Sequence, residues 1–187
     1  MIERFVDEDV RTRLILAGIT ELEERGARDF SLRRAAESAG VSCAAPYRYF
    51  KSKEEYVSEI FSYLASKWNL MFSEIKTAYA GEGERLVTEL SLAYIRFWLA
   101  NKNLRSALLF SGEVGGVRIS DFDSGIKSAS SELFEKRGVA SQSAEEKSNA
   151  LSALLLGYVT LIGTGELTYD ERTMETVRSF ISSFLNA

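Results

Sequence analysis

The sequence contains no histidine, and its 187 residues include a single cysteine and a single proline. Without histidine the chain lacks the commonest general base and the commonest metal ligand of proteins. The lone cysteine, Cys43, has no partner for an internal disulfide, which is typical of a chain from a reducing compartment. Glycine-rich phosphate loops and residue clusters with metal-ligand spacing are also missing. The sequence therefore predicts no catalytic residues, no cofactor and no metal site.

Long apolar runs are missing as well. The first residues, MIERFVDEDV, lack the basic start and the apolar stretch of a signal peptide. The most apolar stretch, residues 151–165, carries Ser152, Thr160 and Thr164, and it is too short and too polar for a membrane span. We therefore expect a soluble, cytoplasmic protein with no membrane partner.

Charge is unevenly distributed along the chain. The whole chain has a net charge of −4, which by itself argues against a nucleic-acid partner. Between residues 25 and 53, however, seven basic side chains are accompanied by only two acidic ones, so this segment carries +5 and the remainder −9. A local basic patch acts at contact range, where the average over the protein does not cancel it. The patch therefore favours a nucleic-acid partner for this segment.

The residue pattern is helical from end to end. Sustained period-2 alternation and Asn-Gly hairpin pairs are absent, whereas apolar residues recur at helical spacing. Capping boxes, with serine and glutamate three residues apart, are predicted at Ser52 and at Ser143. An all-α fold of nine helices is predicted: one that ends at Gly26, the segments 31–39, 42–50 and 53–79, one around 86–97, the segments 103–110, 122–136 and 143–164, and a last helix capped by Asp170.

Two short capped helices lie inside the basic segment. In SLRRAAESAGVSCAAPYRYFKSK (residues 31–53), Ser31 and Ser42 are placed as N-caps, and Gly40 permits a left-handed step in the turn between them. This is the helix-turn-helix pattern, in which the second helix enters the major groove of DNA. A bare turn of this kind is more often a structural corner. The basic patch, the aromatic pair Tyr49-Phe50 and the capping box at Ser52 favour DNA binding instead.

The same segment resembles the TetR family of transcriptional regulators. The resemblance is carried by Ala36, Gly40, Val41, Ser42, Tyr47, Tyr49, Phe50, Lys51, Ser52, Lys53 and Glu54. It implies a three-helix DNA-binding head over residues 1–52, joined by a long helix to a helical ligand-binding and dimerisation bundle over residues 53–187. The implied function is that of a repressor, released from its double-stranded DNA operator by a small hydrophobic ligand. The alternative is a helical ligand-binding or interaction protein whose head no longer binds DNA.

The resemblance also implies roles for residues of the head. Tyr47, Tyr49 and Lys53 would bind phosphate, because hydroxyls and amines position a protein on DNA without reading its sequence. Residues 43–46 would face the groove but cannot form bidentate bonds to a base, so direct readout would rest on Arg48, Tyr47 or contact with thymine methyls. The predicted DNA-binding residues are Ser31, Arg33, Arg34, Ser42, Cys43, Ala44, Ala45, Tyr47, Arg48, Tyr49, Lys51 and Lys53.

Aromatic side chains downstream of the head are candidates for a ligand pocket. Residue by residue they are more typical of a packed core, but the resemblance implies a mostly apolar pocket between these helices. The predicted pocket residues are Trp68, Phe72, Tyr94, Phe97, Trp98, Phe110 and Phe122. Candidates for the few polar groups of such a pocket are Tyr94, Arg96, Ser111 and Glu113. The chemical identity of the effector stays open.

The segment 151–162 is apolar on nearly every side, and a helix of that kind must be buried on every side. Within one bundle only part of its surface needs covering, so we predict that a second copy of the chain covers the rest. Gly157 and Gly163 would permit close approach. The predicted homodimer interface comprises Leu151, Leu154, Leu155, Tyr158, Ile162, Val177, Phe180, Ile181 and Phe184. The alternative is a central core helix in a monomer.

Overall fold

The computed structural model describes the backbone of residues 2–186 and their side chains, apart from those of residues 2–8 and of Phe110. Within this range the chain forms nine helices and no strand, which confirms the predicted all-α fold. The helices are α1 (Ile2–Asp29), α2 (Leu32–Ser38), α3 (Pro46–Tyr49), α4 (Lys53–Ala78), α5 (Gly83–Ala100), α6 (Lys102–Ser111), α7 (Ser120–Lys136), α8 (Ser141–Thr164) and α9 (Glu171–Asn186). Among the described helices, none carries an apolar stretch of the length that crossing a bilayer requires.

The chain divides into two compact units. Unit 1 comprises Met1–Lys67 and Asn101–Ile119, and it contains α1 to α3, residues 53–67 of α4, and α6. Unit 2 comprises Trp68–Ala100 and Ser120–Ala187, and it contains residues 68–78 of α4 together with α5, α7, α8 and α9. The predicted helix-turn-helix head lies entirely in unit 1.

Two predicted helix signals have the expected geometry. Gly26 interrupts α1 with φ 74° and ψ 170°, a backbone conformation that glycine adopts without a steric penalty. Asp170 precedes α9, and its carboxylate accepts a hydrogen bond from the backbone N–H of Thr173 at 2.7 Å. This hydrogen bond lowers the pKa of Asp170. Both signals act over one turn of chain, which is why the sequence alone predicts them.

The capping box predicted at Ser143 is wrong. Gly138 ends α7 with φ 85°, and α8 already begins at Ser141 with Ala140 as its N-cap. Ser143 therefore lies inside the first turn of α8, where it cannot act as the N-cap. Ala140 is the extended residue that precedes the helix, with φ −60° and ψ 142°, so the turn at Gly138 is followed by only two residues before α8 begins.

Tyr56 of α4 joins the head to α4 in unit 1, through stacked rings and a buried hydrogen bond to α1. The rings of Phe50 and Tyr56 are nearly parallel with centroids 4.3 Å apart, and Phe30 meets Tyr56 edge-on at 5.4 Å. The buried hydroxyl of Tyr56, whose pKa is raised by burial, donates to the carbonyl of Leu14. Gly18 permits this approach, because a Cβ there would lie 3.0 Å from the Tyr56 hydroxyl oxygen. The head is thereby anchored to the beginning of α4.

Glu23 fastens α6 to α1 in the same unit. Its carboxylate accepts hydrogen bonds from the backbone N–H groups of Asn103 at 3.1 Å and Leu104 at 3.0 Å, in the first turn of α6. The side-chain amide of Asn103 donates to the carbonyl of Glu23. A carboxylate at this position satisfies amides that have no partner within the helix, and it complements the helix dipole. The residues are 80 positions apart in the chain, so no local pattern predicts this link.

In unit 2, Glu84 joins the ends of three helices. From the first turn of α5 its carboxylate accepts hydrogen bonds from the Ser182 hydroxyl at 2.7 Å and from the Asn186 amide at 3.1 Å, both on α9. Arg137, just after α7, donates to the same carboxylate at 2.9 Å. The hydrogen bond from Ser182, followed by that from Arg137, lowers the pKa of Glu84. The cluster stabilises the ionised carboxylate of Glu84 and joins the start of α5 to the ends of α7 and α9.

Candidate nucleic-acid interface and ligand pocket

The turn between α2 and α3 has the geometry that its sequence predicts. Ser31 caps α2, because its hydroxyl accepts a hydrogen bond from the backbone N–H of Arg34 at 3.4 Å. Gly40 adopts φ 68°, and the N–H of Val41 donates to the carbonyl of Ala36 at 3.0 Å. This left-handed step pairs a terminal carbonyl of α2 and redirects the chain toward α3.

The helix α3 is shorter than predicted because of its proline. It covers Pro46–Tyr49, and residues 42–45 form a turn that is closed by a hydrogen bond from Ala45 N to Ser42 O at 2.9 Å. Pro46 has no N–H to donate to the carbonyl of Ser42, and proline is favoured at the first position of a helix. The prediction of a helix over residues 42–50 is therefore wrong in its first four residues and at Phe50. The N-cap of α3 is Ala45, so the prediction that Ser42 caps this helix is wrong as well.

The surface of this turn and helix exposes few hydrogen-bonding groups. Cys43, Ala44 and Arg48 are exposed, and Tyr47 is 67% exposed. Ala45 is only 8% exposed and Pro46 is buried, so the prediction that these two residues face the groove is wrong. The Tyr47 phenol and the Arg48 guanidinium are therefore the exposed hydrogen-bonding side chains that α3 offers to a nucleic acid.

The three arginines predicted to bind DNA have different surroundings. Arg33 is exposed and pairs with Glu37, one turn later in α2, at 3.0 Å. Arg34 pairs with Glu21 of α1 at 2.5 Å. Arg48 forms no ion pair with any residue whose side chain the structure describes. Among the residues whose side chains the structure describes, a carboxylate pairs with Arg33 and with Arg34 but not with Arg48.

The Glu21–Arg34 pair connects α1 to α2. The side chain of Glu21 is 8% exposed, and its Oε1 accepts hydrogen bonds from Arg34 Nε at 2.7 Å and from the backbone N–H of Ser31 at 3.2 Å. The guanidinium of Arg34 also donates to the carbonyl of Asp29. These partners all belong to the joint between the two helices. Arg34 stabilises that joint, and its contact with DNA stays a prediction.

We expect Glu21→Ala to lower the free energy of unfolding by about 1–3 kcal/mol, because the buried charged hydrogen bonds at the joint are lost. Urea denaturation followed by circular dichroism measures this change. Glu24→Ala is the matched control, since Glu24 is an exposed carboxylate on the same helix. Equal unfolding midpoints for the two variants would show that the network around Glu21 does not stabilise the head.

The start of α4 places two lysines beside the head. The Ser52 hydroxyl accepts a hydrogen bond from the backbone N–H of Glu55 at 3.1 Å, which confirms the predicted cap. The Glu55 carboxylate accepts from the N–H of Lys51 at 2.7 Å, one residue before the partner that a capping box requires. Lys51 is exposed, and the ammonium nitrogen of Lys53 lies 5.7 Å from the centroid of the Phe30 ring.

Most of the predicted pocket residues form a packed aromatic cluster in unit 2. The buried members are Trp68, Tyr94, Trp98 and Phe122. The ring of Trp98 lies 4.6 Å from that of Phe122 and 5.2 Å from that of Phe97, measured between centroids. The side chain of Phe110 lies outside the described residues. Edge-on contacts of this kind are typical of a core, and the role of the cluster in a pocket stays a prediction.

Unit 2 contains a cavity of about 570 Å³, which we call the lysine-rimmed pocket. It is lined by Phe72, Lys76, Ala80, Gly81, Gly83, Leu86, Gly125, Ser128, Ala129, Glu132, Leu133 and Lys136. Of the residues predicted to line a pocket, Phe72 lies on its wall. The candidate polar groups Arg96, Ser111 and Glu113 are exposed and do not line it. The volume is typical of sites for small molecules.

The apolar residues predicted at a dimer interface differ in how far unit 2 buries them. The members buried within the chain are Leu151, Leu155, Ile162, Val177 and Ile181. Leu154, Tyr158 and Phe184 are half-buried, and Phe180 is 46% exposed. Leu161, which the predicted set omits, is 44% exposed, and a Cβ added at Gly157 would meet no described side chain and no neighbouring helix within 4 Å. Leu154, Gly157 and Leu161 are three and seven residues apart on α8 and therefore share one face of that helix, which we call the open apolar face.

Comparison with known protein families identifies the head. Residues 14–60 match the family "Bacterial regulatory proteins, tetR family". The matched segment runs from α1 through α3 into the first turns of α4, so it includes the turn at Gly40 and the exposed surface of α3. Among curated proteins, no sequence matches the chain. The predicted resemblance to the TetR family is confirmed.

The chain also has the fold of solved TetR-family structures. A Mesorhizobium loti protein described as a TetR-family transcriptional regulator is 15% identical with a TM-score of 0.74, over 96% of this chain and 95% of that chain. The fatty acid degradation regulator of Bacillus halodurans is 16% identical with a TM-score of 0.66, over 94% and 93%. A TetR variant of Acinetobacter baumannii, solved in complex with minocycline, is 16% identical with a TM-score of 0.58, over 92% of each chain. At these identities the likeness establishes the fold.

Proposed function

Because its head carries the TetR-family sequence pattern and the whole chain has the fold of TetR-family regulators, we propose that this protein is a transcriptional repressor that a small hydrophobic ligand releases from its DNA operator. The observation that carries the proposal is the exposure of Ser42, Cys43, Ala44, Tyr47 and Arg48 on a helix-turn-helix in the basic segment of the chain. The protein would act in the cytoplasm, where operator DNA is accessible.

In this proposal α3 enters the major groove and α4 begins beside the phosphate backbone. Tyr47 and Lys53 bind phosphates, which sets the position of the head on the duplex. Arg48 reads a base edge, because its guanidinium is exposed and has no ion pair with a described residue. Cys43 and Ala44 offer apolar contact to thymine methyl groups. Sequence readout would thus rest on few side chains.

Two copies of the chain are needed for an operator with two half-sites. A two-fold symmetric dimer would place the recognition helices about 34–36 Å apart, one turn of DNA. We assign the interface to the open apolar face, where Gly157 permits a second copy to approach closely. The other strongly apolar members of the predicted set, Leu151, Leu155, Ile162, Val177 and Ile181, are already buried within unit 2 and are therefore not available to a second copy.

Release by a ligand would act through α4. The helix begins at the capped Ser52–Lys53 junction of the head, and Phe72 and Lys76 near its end line the lysine-rimmed pocket. A helix is stiff, so a displacement at one end is transmitted to the other. A ligand shifts the balance between two forms only by its differential affinity, typically about 1–3 kcal/mol.

A gel-shift experiment with the DNA upstream of the protein's own gene tests the proposal. We expect a retarded complex that survives an excess of unrelated DNA. The alternative, a ligand-binding or interaction protein whose head no longer binds DNA, draws its support from the limited base-reading chemistry of residues 43–46. Absence of any complex with this region and with genomic fragments at micromolar protein would favour that alternative.

We expect Lys53→Ala to weaken binding to all DNA sequences about equally and to reduce the slope of log affinity against log salt by about one. The reason is that a phosphate contact releases counterions but reads no base. Fluorescence anisotropy on an operator and on a scrambled duplex, each at several salt concentrations, measures both quantities. Lys102→Ala, at an exposed lysine on α6, is the control. Unchanged affinity and slope in Lys53→Ala would remove the phosphate assignment.

A further inference from the structure

The floor of the lysine-rimmed pocket is apolar. Phe72 of α4, Leu86 of α5 and Leu133 of α7 contribute side chains to it. Gly125 is needed for this arrangement, because a Cβ there would lie 2.4 Å from Cε2 of the Phe72 ring. The ring therefore lies directly against the backbone of α7. Open apolar surface of this kind favours an occupant with an apolar body.

The rim of the same pocket is charged. Lys76 and Lys136 stand on it together with Glu132, and the ammonium of Lys136 lies 2.7 Å from the Glu132 carboxylate. That ion pair lowers the pKa of Glu132, as does the charge of Lys76 nearby. Lys76 itself forms no ion pair with a residue whose side chain the structure describes. The lining side chains thus leave one net positive charge at the mouth, centred on Lys76.

We propose that the lysine-rimmed pocket binds an amphipathic monoanion, with its apolar body on Phe72, Leu86 and Leu133 and its single negative charge beside Lys76. The net charge of the rim selects the class: one negative charge is attracted, whereas a cation is repelled and a second negative charge meets Glu132. The inference rests on the proposed function, since it names the chemistry of the effector that would release DNA. The position of Lys76 and Phe72 on α4 places this ligand on the helix that begins at the head.

The binding test uses the full chain without DNA and the probe dodecanoate below its micelle concentration, followed by calorimetry. We expect one dodecanoate per chain, weaker binding of neutral dodecanol, and no binding of dodecyltrimethylammonium at this site. Lys76→Met keeps the aliphatic part of the side chain and removes the charge. It should weaken dodecanoate about two- to fivefold and reduce the salt dependence of its affinity, as for an exposed ion pair, while leaving dodecanol unchanged.

Two further variants locate the site. Ser128→Trp fills the pocket from an exposed position and should abolish binding of both dodecanoate and dodecanol. Ala129→Phe is a second filling variant on the same wall, and thermal melts verify that each variant is folded. Lys67→Met is the matched control on α4, because Lys67 is exposed and does not line the pocket. It should bind dodecanoate like the unaltered protein.

Some outcomes overturn the inference. Equal affinity for dodecanoate and the ammonium probe, or an unchanged affinity in Lys76→Met, would exclude an anion-selective site. Undiminished binding in both folded filling variants would place the site elsewhere. A separate measurement of operator affinity with dodecanoate present tests the proposed function. Binding that depends on Lys76 and Ser128 but leaves operator affinity unchanged supports the anion site, and it contradicts release by this ligand.

Discussion

A protein with glutamate in place of Gly157 is expected to sediment as a monomer and to bind a two-half-site operator at least about a hundredfold more weakly than the unaltered protein. Gly157 lies on the open apolar face, where an added Cβ meets no described side chain and no neighbouring helix within 4 Å. Glutamate also favours helix more than glycine does, so the substitution should not destabilise the monomer. In a dimer, by contrast, it would insert a charge into a closely packed apolar contact.

Analytical ultracentrifugation at micromolar concentration, together with anisotropy on operator DNA, measures both effects. The matched control is Asn149→Glu, which adds the same charge at an exposed position about two turns earlier on α8. The control should remain dimeric and retain its affinity. A Gly157→Glu protein that sediments as a dimer would exclude the open apolar face as the interface. A monomeric unaltered protein would exclude the homodimer itself.

Arg48→Ala is expected to weaken operator binding by about ten- to a hundredfold and to relax sequence preference at one base pair, since a bidentate arginine–guanine contact has an effect of this size. The structure favours Arg48 over the other two arginines predicted to bind DNA. Arg33 is paired with Glu37 and Arg34 with Glu21, so each would have to give up an ion pair within the head to bind a base. Arg48 is exposed on α3 and has no such pair among the described residues.

Measuring Arg48→Ala on a set of operators with single base changes distinguishes readout from phosphate binding. Loss of discrimination at one position, with other positions unaffected, identifies a base contact. A uniform loss on every sequence with a shallower salt slope would instead assign Arg48 to phosphate. Arg33→Ala is the comparison, and we expect a smaller effect because its guanidinium is already paired with Glu37.

Local signals in the sequence predict much of the fold. The glycine at 26, the serine cap of α2, the left-handed step at Gly40 and the cap of Asp170 on α9 all have the expected geometry. Each depends on hydrogen bonds or backbone angles within about one turn of chain, so neighbouring residues suffice to specify it. The errors are local as well. At α3 the missing N–H of Pro46 shortens the helix, and at α8 the N-cap is Ala140, three residues before the predicted Ser143.

The candidate sites depend on contacts between residues far apart in the chain, which the sequence pattern does not contain. In the sequence, Arg34 cannot be distinguished from the other basic residues of the head. The structure shows that it pairs with Glu21, 13 positions earlier. Apolar periodicity identifies the residues that avoid water but does not say what covers them. Only packing separates buried Leu155 from exposed Leu161 on one helix.

The same physical limit applies to the pocket. The aromatic residues predicted for the pocket are apolar whether they fill a core or line a cavity, so the sequence alone does not determine which of the two they do. Single lysines such as Lys76 and Lys136 are ordinary on helix surfaces, and no spacing connects them. Tertiary structure brought them to one rim, because α4 and α7 both contribute to the wall of the same cavity. The sequence by itself determined the helices and the turn of the head, whose causes are local. Packing decided which faces stayed open, because burial depends on every neighbour at once.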